Sequence, residues 1–81
     1  MKGIVTVRLK RDVLDPQGQA IAHAAAALGY GAVRDVRQDK RFEIRLDAPD
    51  RASAERLLAE LAEKLLANPV IEDFAVESVE P

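Results

Sequence analysis

Cysteine is absent from the 81 residues, which excludes disulfides and thiolate metal sites as sources of stability. Tryptophan is absent too, and Tyr30, Phe42 and Phe74 are the only aromatics. No apolar run approaches the roughly 18 residues that a membrane-spanning helix needs. There is no basic excess. The formal net charge is −2, whereas nucleic-acid binders present a net basic face, so no nucleic-acid partner is expected. The first ten residues, MKGIVTVRLK, alternate instead of forming an apolar block with a cleavage signal, so the expected location is cytoplasmic. The single histidine, His23, has no cysteine, serine or second histidine near it in sequence to form a nucleophile–base pair.

What remains suits one small domain, residues 1–81. A chain of this size buries only about 60–65% of its unfolded surface, so packing alone leaves a thin margin of stability. Association with copies of itself or with a partner is the expected supplement.

Residues 2–10 alternate with period two and are rich in β-branched side chains, which predicts a half-buried strand. Val5, Val7 and Leu9 share one face; Ile4, Thr6, Arg8 and Lys10 share the other. A helix follows in DPQGQAIAHAAAALG. Asp15 is placed to cap it, and Pro16 suits the first helical position, where a missing N–H costs nothing. Gly29 is placed to end it in a left-handed conformation. Ile21, Ala24, Ala25 and Leu28 fall on one face, and the alanines let a neighbour come close. Gly18 weakens the first turn by up to about 1 kcal/mol relative to alanine. Close approach of another backbone or of a ligand would account for it.

Residues 33–47 read as a hairpin: strand VRDVR, turn QDK, and strand RFEIRLD with Phe42, Ile44 and Leu46 on one face. In DRASAERLLAELAEKLLA, Ala54, Leu57, Leu58, Leu61 and Leu65 form a helical stripe. Asp50 or Ser53 can cap this helix, Glu60 and Lys64 make an i, i+4 pair, and Pro69 stops it. The final strand, VIEDFAVESV, places Phe74 and Val76 on one face and Ala75, Glu77 and Val79 on the other.

The order β-α-β-β-α-β predicts an α+β fold of the two-layer ferredoxin-like kind. Its antiparallel sheet carries two helices on one face. Ile4, Thr6, Ala75 and Val79 would leave the opposite face half apolar, a candidate surface for self-association.

The stretch D-P-Q-G could be a phosphate-binding loop or a helix start. A phosphate loop needs G-x-x-x-x-G-K-[ST], and a dinucleotide site needs G-x-G-x-x-G. Neither is present, and Asp15 would repel a phosphate at the helix N-terminus. The stretch reads as a helix start, and no active site emerges from the residues. The paired acids Asp12 and Asp15, and Glu72 and Asp73, read as caps and strand-end groups. Sheet-surface RNA binding is disfavoured because the strand aromatics fall on the core face. An ACT-like small-molecule regulatory module remains open.

The segments VLDPQGQAI, then LGY with VRDVR, then LLANPVIEDF, resemble the PurS family. This is the small subunit of phosphoribosylformylglycinamidine (FGAM) synthase. The resemblance covers nearly the whole chain; Asp39-Lys40 departs from it where many members carry a glycine before the lysine. It implies a noncatalytic subunit with no cofactor of its own, forming a dimer or tetramer. It also implies two partners: a glutaminase, PurQ, and a synthetase, PurL, which uses ATP and Mg²⁺. Candidate interface residues are Lys10, Arg11, Asp15, Pro16 and Gly18 before and within the first helix, and Asn68 and Pro69 after the second. Caps and helix stops also account for Asp15, Pro16 and Pro69.

Overall fold

The computed structural model describes residues 1–81. Strand β1 (Lys2–Leu9) is central, with antiparallel β2 (Lys40–Arg45) on one side and antiparallel β3 (Glu72–Glu80) on the other. Helix α1 (Pro16–Ala27) follows β1, and helix α2 (Arg51–Leu61) follows β2. A π turn, Ala62–Leu66, extends α2.

Cross-strand partners share a face. Val5 pairs with Phe42 and Val76, and Gly3 with Ile44 and Val79. These residues form the face under α2, where Leu58 is fully buried among Val5, Val7, Ala54, Ala62 and Val79. Gly3 is needed there: a Cβ at this position would lie 2.3 Å from Leu58 Cδ1.

The expected partition of β3 fails at its C-terminal half. A bulge opposite Ile4–Val5 inserts one residue, so Val76 and Val79 both face the core although they are three apart. A single extra residue reverses the alternation beyond it. Val79 therefore leaves the open face, and Ile4, 9% exposed, closes what remains of its apolar centre. Arg8, Arg41, Glu43, Arg45 and Asp73 dominate that face by register. It is a poorer surface for self-association than the alternation predicted.

The α2 stripe also shifts. Ala54, Leu58 and Ala62 lie against the sheet, whereas Leu57 and Leu65 are 48% and 73% exposed. The π turn holds more residues per turn than an α-helix, so it delays the inward-facing position. Leu66 and Ala67 pack on the core where Leu65 was expected. Asp50 is the cap, accepting from Ser53 N–H at 2.7 Å, and the Glu60–Lys64 pair forms at 2.8 Å.

The two-layer antiparallel plan holds, with two differences from the expected arrangement. Residues 33–37 form no ladder within this chain, so the sheet has three strands. Helix α1 does not lie beside α2; its only buried residue is Gly18, and it makes no substantial packing with the sheet. The molecule measures 51 × 26 × 14 Å. Its α1 end is an arm.

Leu58 is the keystone of the single packed layer. Leu58→Ala is expected to cost about 2–5 kcal/mol of unfolding free energy, read as a fall in the urea midpoint with little change in slope.

Candidate docking site

The corner between β1 and α1 is built around one carboxylate. Asp15 has the extended backbone of an N-cap (φ −102°, ψ 97°). One of its oxygens accepts from Gly18 N–H at 2.9 Å. The other accepts from Gln38 N–H at 2.7 Å. The residue is 6% exposed. The Gln38 and Gly18 hydrogen bonds, with the nearby Arg37 charge, hold its carboxyl below the usual 3.8 despite the opposing effect of burial.

Arg37 fastens the same corner from outside. Its guanidinium donates to the carbonyls of Val13 at 2.7 Å, Arg11 at 2.9 Å and Lys10 at 3.1 Å. Three carbonyls of the turn thus accept from one planar donor set, that of Lys10 in addition to its bond from Val13 N–H. These bonds hold residues 36–38 over the start of α1 and away from the outer edge of β2. That is why the expected second strand is absent. The space between is closed by Gly18, where a Cβ would lie 1.9 Å from Val36 O. The close backbone approach expected at Gly18 is found.

The second candidate stretch meets the first across the sheet end. Lys10 N–H donates to Ile71 C=O at 2.9 Å, so Lys10 joins both stretches through its backbone. Asn68 starts the loop before β3: its N–H donates to Glu72 Oε1 at 2.8 Å, and its Oδ1 accepts from Val70 N–H at 3.1 Å. Its carbonyl accepts from Ile71 and Glu72 N–H. The result is a cleft of about 450 Å³ lined by Asp15, Pro16, Lys40, Asn68, Ile71 and Glu72 among others.

Of the candidate residues, Asp15, Pro16 and Asn68 share this cleft. Arg11 lines a smaller hollow of about 200 Å³ on the far side of Asp15, with Arg8, Arg37 and Asp39. Gly18 lies beneath, against Val36, and Pro69 is exposed in the loop outside. Arg37, Gln38, Lys40 and Glu72 belong to the site but are not among the candidate interface residues; Glu72 reads in the sequence as a strand-end group and Lys40 as part of the hairpin turn. Arg37 and Gln38 sat in a segment that reads as strand and turn. The Lys40–Glu72 ion pair at 3.4 Å joins two strand ends that are distant in sequence.

The site offers shape and fixed polarity, and its side chains are largely committed to holding backbone. His23 is exposed on α1. No group of three His, Asp or Glu side chains is gathered to hold a metal ion.

The PurS family model, described as phosphoribosylformylglycinamidine (FGAM) synthase, matches residues 2–80. The PurS subunit of this synthase from Mycobacterium leprae is 49% identical over 75 residues, 93% of this chain and 91% of that one. The structure of Bacillus subtilis PurS superposes with a TM-score of 0.86 at 47% identity, covering 98% of each chain. A chain of the PurLQS structure from Thermotoga maritima shares the fold, with a TM-score of 0.83 at 23% identity over 98% of this chain and 99% of that one. The fold is therefore that of a small synthase subunit. The chain belongs to the PurS family of FGAM synthase, in purine biosynthesis. The ACT-like alternative finds no support in these comparisons.

Two outcomes test the corner. Gly18→Ala improves helix propensity by about 1 kcal/mol. Its methyl group would meet the Val36 carbonyl, so a net loss of roughly 1–3 kcal/mol is expected by thermal unfolding. The Asp15 carboxyl is held below 3.8, so what it contributes to stability is whole above about pH 4 and drains away as pH falls through the lowered value. Protection of the Gly18 and Gln38 amides against exchange, relative to their intrinsic rates, should therefore fall only under acid. In Asp15→Asn, which cannot titrate, that acid-linked step should vanish.

Proposed function

We propose that this chain is the noncatalytic bridge of a three-chain FGAM synthase, a cytoplasmic enzyme that works as a dimer- or tetramer-based assembly. PurQ, the glutaminase, would release ammonia from glutamine. PurL, the synthetase, would use ATP and Mg²⁺ to phosphorylate the formyl amide oxygen of formylglycinamide ribonucleotide. Ammonia then displaces phosphate and leaves the amidine. The observation that carries this reading is the family match across residues 2–80. The PurLQS structure, whose name joins three subunits, supports the choice of partners. No helix of this chain is long and apolar enough to cross a membrane.

The chemistry calls for such a bridge. Ammonia escapes into water and is protonated near neutral pH, where it is no longer a nucleophile. Holding two active sites together replaces a bulk concentration with a local one. A clamp supplies this without any reacting group, because a few kcal/mol of docking free energy shifts occupancy by orders of magnitude.

The docking surface we assign is the β1–α1 corner with the loop before β3. Asp15, Pro16 and Asn68 line its cleft, Arg11 the hollow beside it, Lys10 ties the two loops through its backbone, Gly18 supports the corner from beneath, and Pro69 is exposed at the rim. The corner is rigid, since its loops are tied by the Asp15 and Arg37 bonds, and a preorganised surface loses little entropy on binding.

The test is reconstitution with purified glutaminase and synthetase, ATP and Mg²⁺. Amidine formation driven by glutamine should require this chain, while synthesis driven by added ammonia should barely respond to it. Equal glutamine-driven rates with and without it would refute the bridging role. Arg11→Glu, which alters the exposed surface without touching the core, is expected to lower the glutamine-driven rate and spare the ammonia-driven one.

A further inference from the structure

The hollow behind Asp15 gathers more positive charge than the fold uses. Arg8, Arg11 and Arg37 line it with Leu9, Asp15 and Asp39, around a space of about 200 Å³. Guanidinium groups that share one small hollow repel each other, and each brings five N–H donors. Arg37 gives three of its five to the carbonyls of Val13, Arg11 and Lys10, so two remain. Arg8 faces Asp39 at 3.7 Å, an ion contact longer than a hydrogen bond. Arg11 is exposed and takes part in none of the chain's ion pairs.

The carboxylates do not use up these donors. Asp15 turns its two oxygens to the Gly18 and Gln38 N–H groups. Asp39 answers only Arg8, and loosely. Three positive charges thus line the hollow against two negative ones, in a chain whose net charge is −2. Arg8 and Arg11 also have no part in the core, so packing does not account for them.

We propose that this hollow binds a single phosphate group, held by Arg8, Arg11 and the two free donors of Arg37, with Asp39 as its internal competitor. The planar fork of an arginine matches two oxygens of a phosphate at once. Arg37 is already fixed by its carbonyl bonds, so little ordering is left for the ligand to impose.

Size and charge narrow the ligand. A space of about 200 Å³, against about 30 Å³ for one water, admits a phosphate group but not a nucleoside beside it. The neighbouring hollow of about 620 Å³ shares Arg11 and Arg37 but adds Asp12 and Asp35. Those two acids would repel the further phosphates of a nucleoside triphosphate. The hollow therefore selects inorganic phosphate or a small phosphomonoester over ATP. Once bound, the phosphate links Arg8 on β1 to Arg37, and so tightens the corner assigned to docking. The site stands on this chain's own residues and not on the bridging role, so the titration below and the reconstitution assay fail separately.

The side-chain Nε–H signals of the arginines, followed by NMR on the whole chain, read the site directly. Inorganic phosphate is titrated in against chloride at constant ionic strength. Arg8, Arg11 and Arg37 should shift together and saturate, while Arg45 and Arg56 stay still. Arg8→Gln and Arg11→Gln, which change exposed side chains, should each weaken phosphate binding about tenfold, the scale of a hydrogen bond to a charged group. Asp39→Asn should strengthen it about threefold by removing the competing carboxylate. Asp47→Asn, the same change of net charge at an exposed position elsewhere, should leave it unaltered. Ribose 5-phosphate that saturates the same three signals supports the site as one for phosphomonoesters; saturation by inorganic phosphate alone supports it as one for the free ion. Shifts that rise without saturating, or that every arginine shares, overturn the inference. So does tighter binding of ATP than of phosphate, or an Asp39→Asn affinity no different from that of Asp47→Asn.

Discussion

One carboxylate directs this molecule. Asp15 caps a helix through Gly18 and captures the returning chain through Gln38, one oxygen for each. Both donors to it are backbone N–H groups, the first turn of α1 lies beside them, and Arg37 adds positive charge. A nearly buried anion is tolerable only with such a set of partners. The direction in which α1 leaves the sheet follows from this bond pair. Residues 36–38 must cross over the helix start to reach Asp15, and Gly18 must lack a side chain to let them pass. The arm is a consequence of that crossing.

Much of this was legible in the residues, for reasons that are local. The caps at Asp15 and Asp50, the left-handed Gly29 (φ 95°) and the Glu60–Lys64 pair depend on neighbours three or four positions away. The alternation of β1 and β2 survives because both strands run without interruption. Gly18 stands out in the sequence because a glycine in a first helical turn costs stability without local return, and the Val36 carbonyl is the reason for it.

What could not be read depends on distant partners. The bulge in β3 exists in relation to Ile4 and Val5, and nothing near Val79 announces it. The π turn moves Leu65 outward by one position, a change smaller than periodicity resolves. VRDVR has every local feature of a strand, yet Arg37 finds three carbonyls twenty-odd residues earlier and takes the segment with it. At the site, Asp15 and Asn68 belong to stretches that have no link in the sequence. Only the Lys10–Ile71 bond shows that they share a cleft.

The core explains why so much of the chain faces outward. Ten of 81 residues are buried, and six of those form the apolar core under α2. For a domain of this size that is little apolar burial to set against the entropy of ordering the chain, since marginal stability is already the rule. With no cysteine and no assembled metal ligands, further burial has to come from other chains. A helix that is already formed, capped at both ends and pinned at its base brings its apolar face to an interface with its ordering largely complete. The same corner that denies α1 a seat on its own sheet thus prepares it for one elsewhere. It also leaves the cleft beside Asn68 open to a partner.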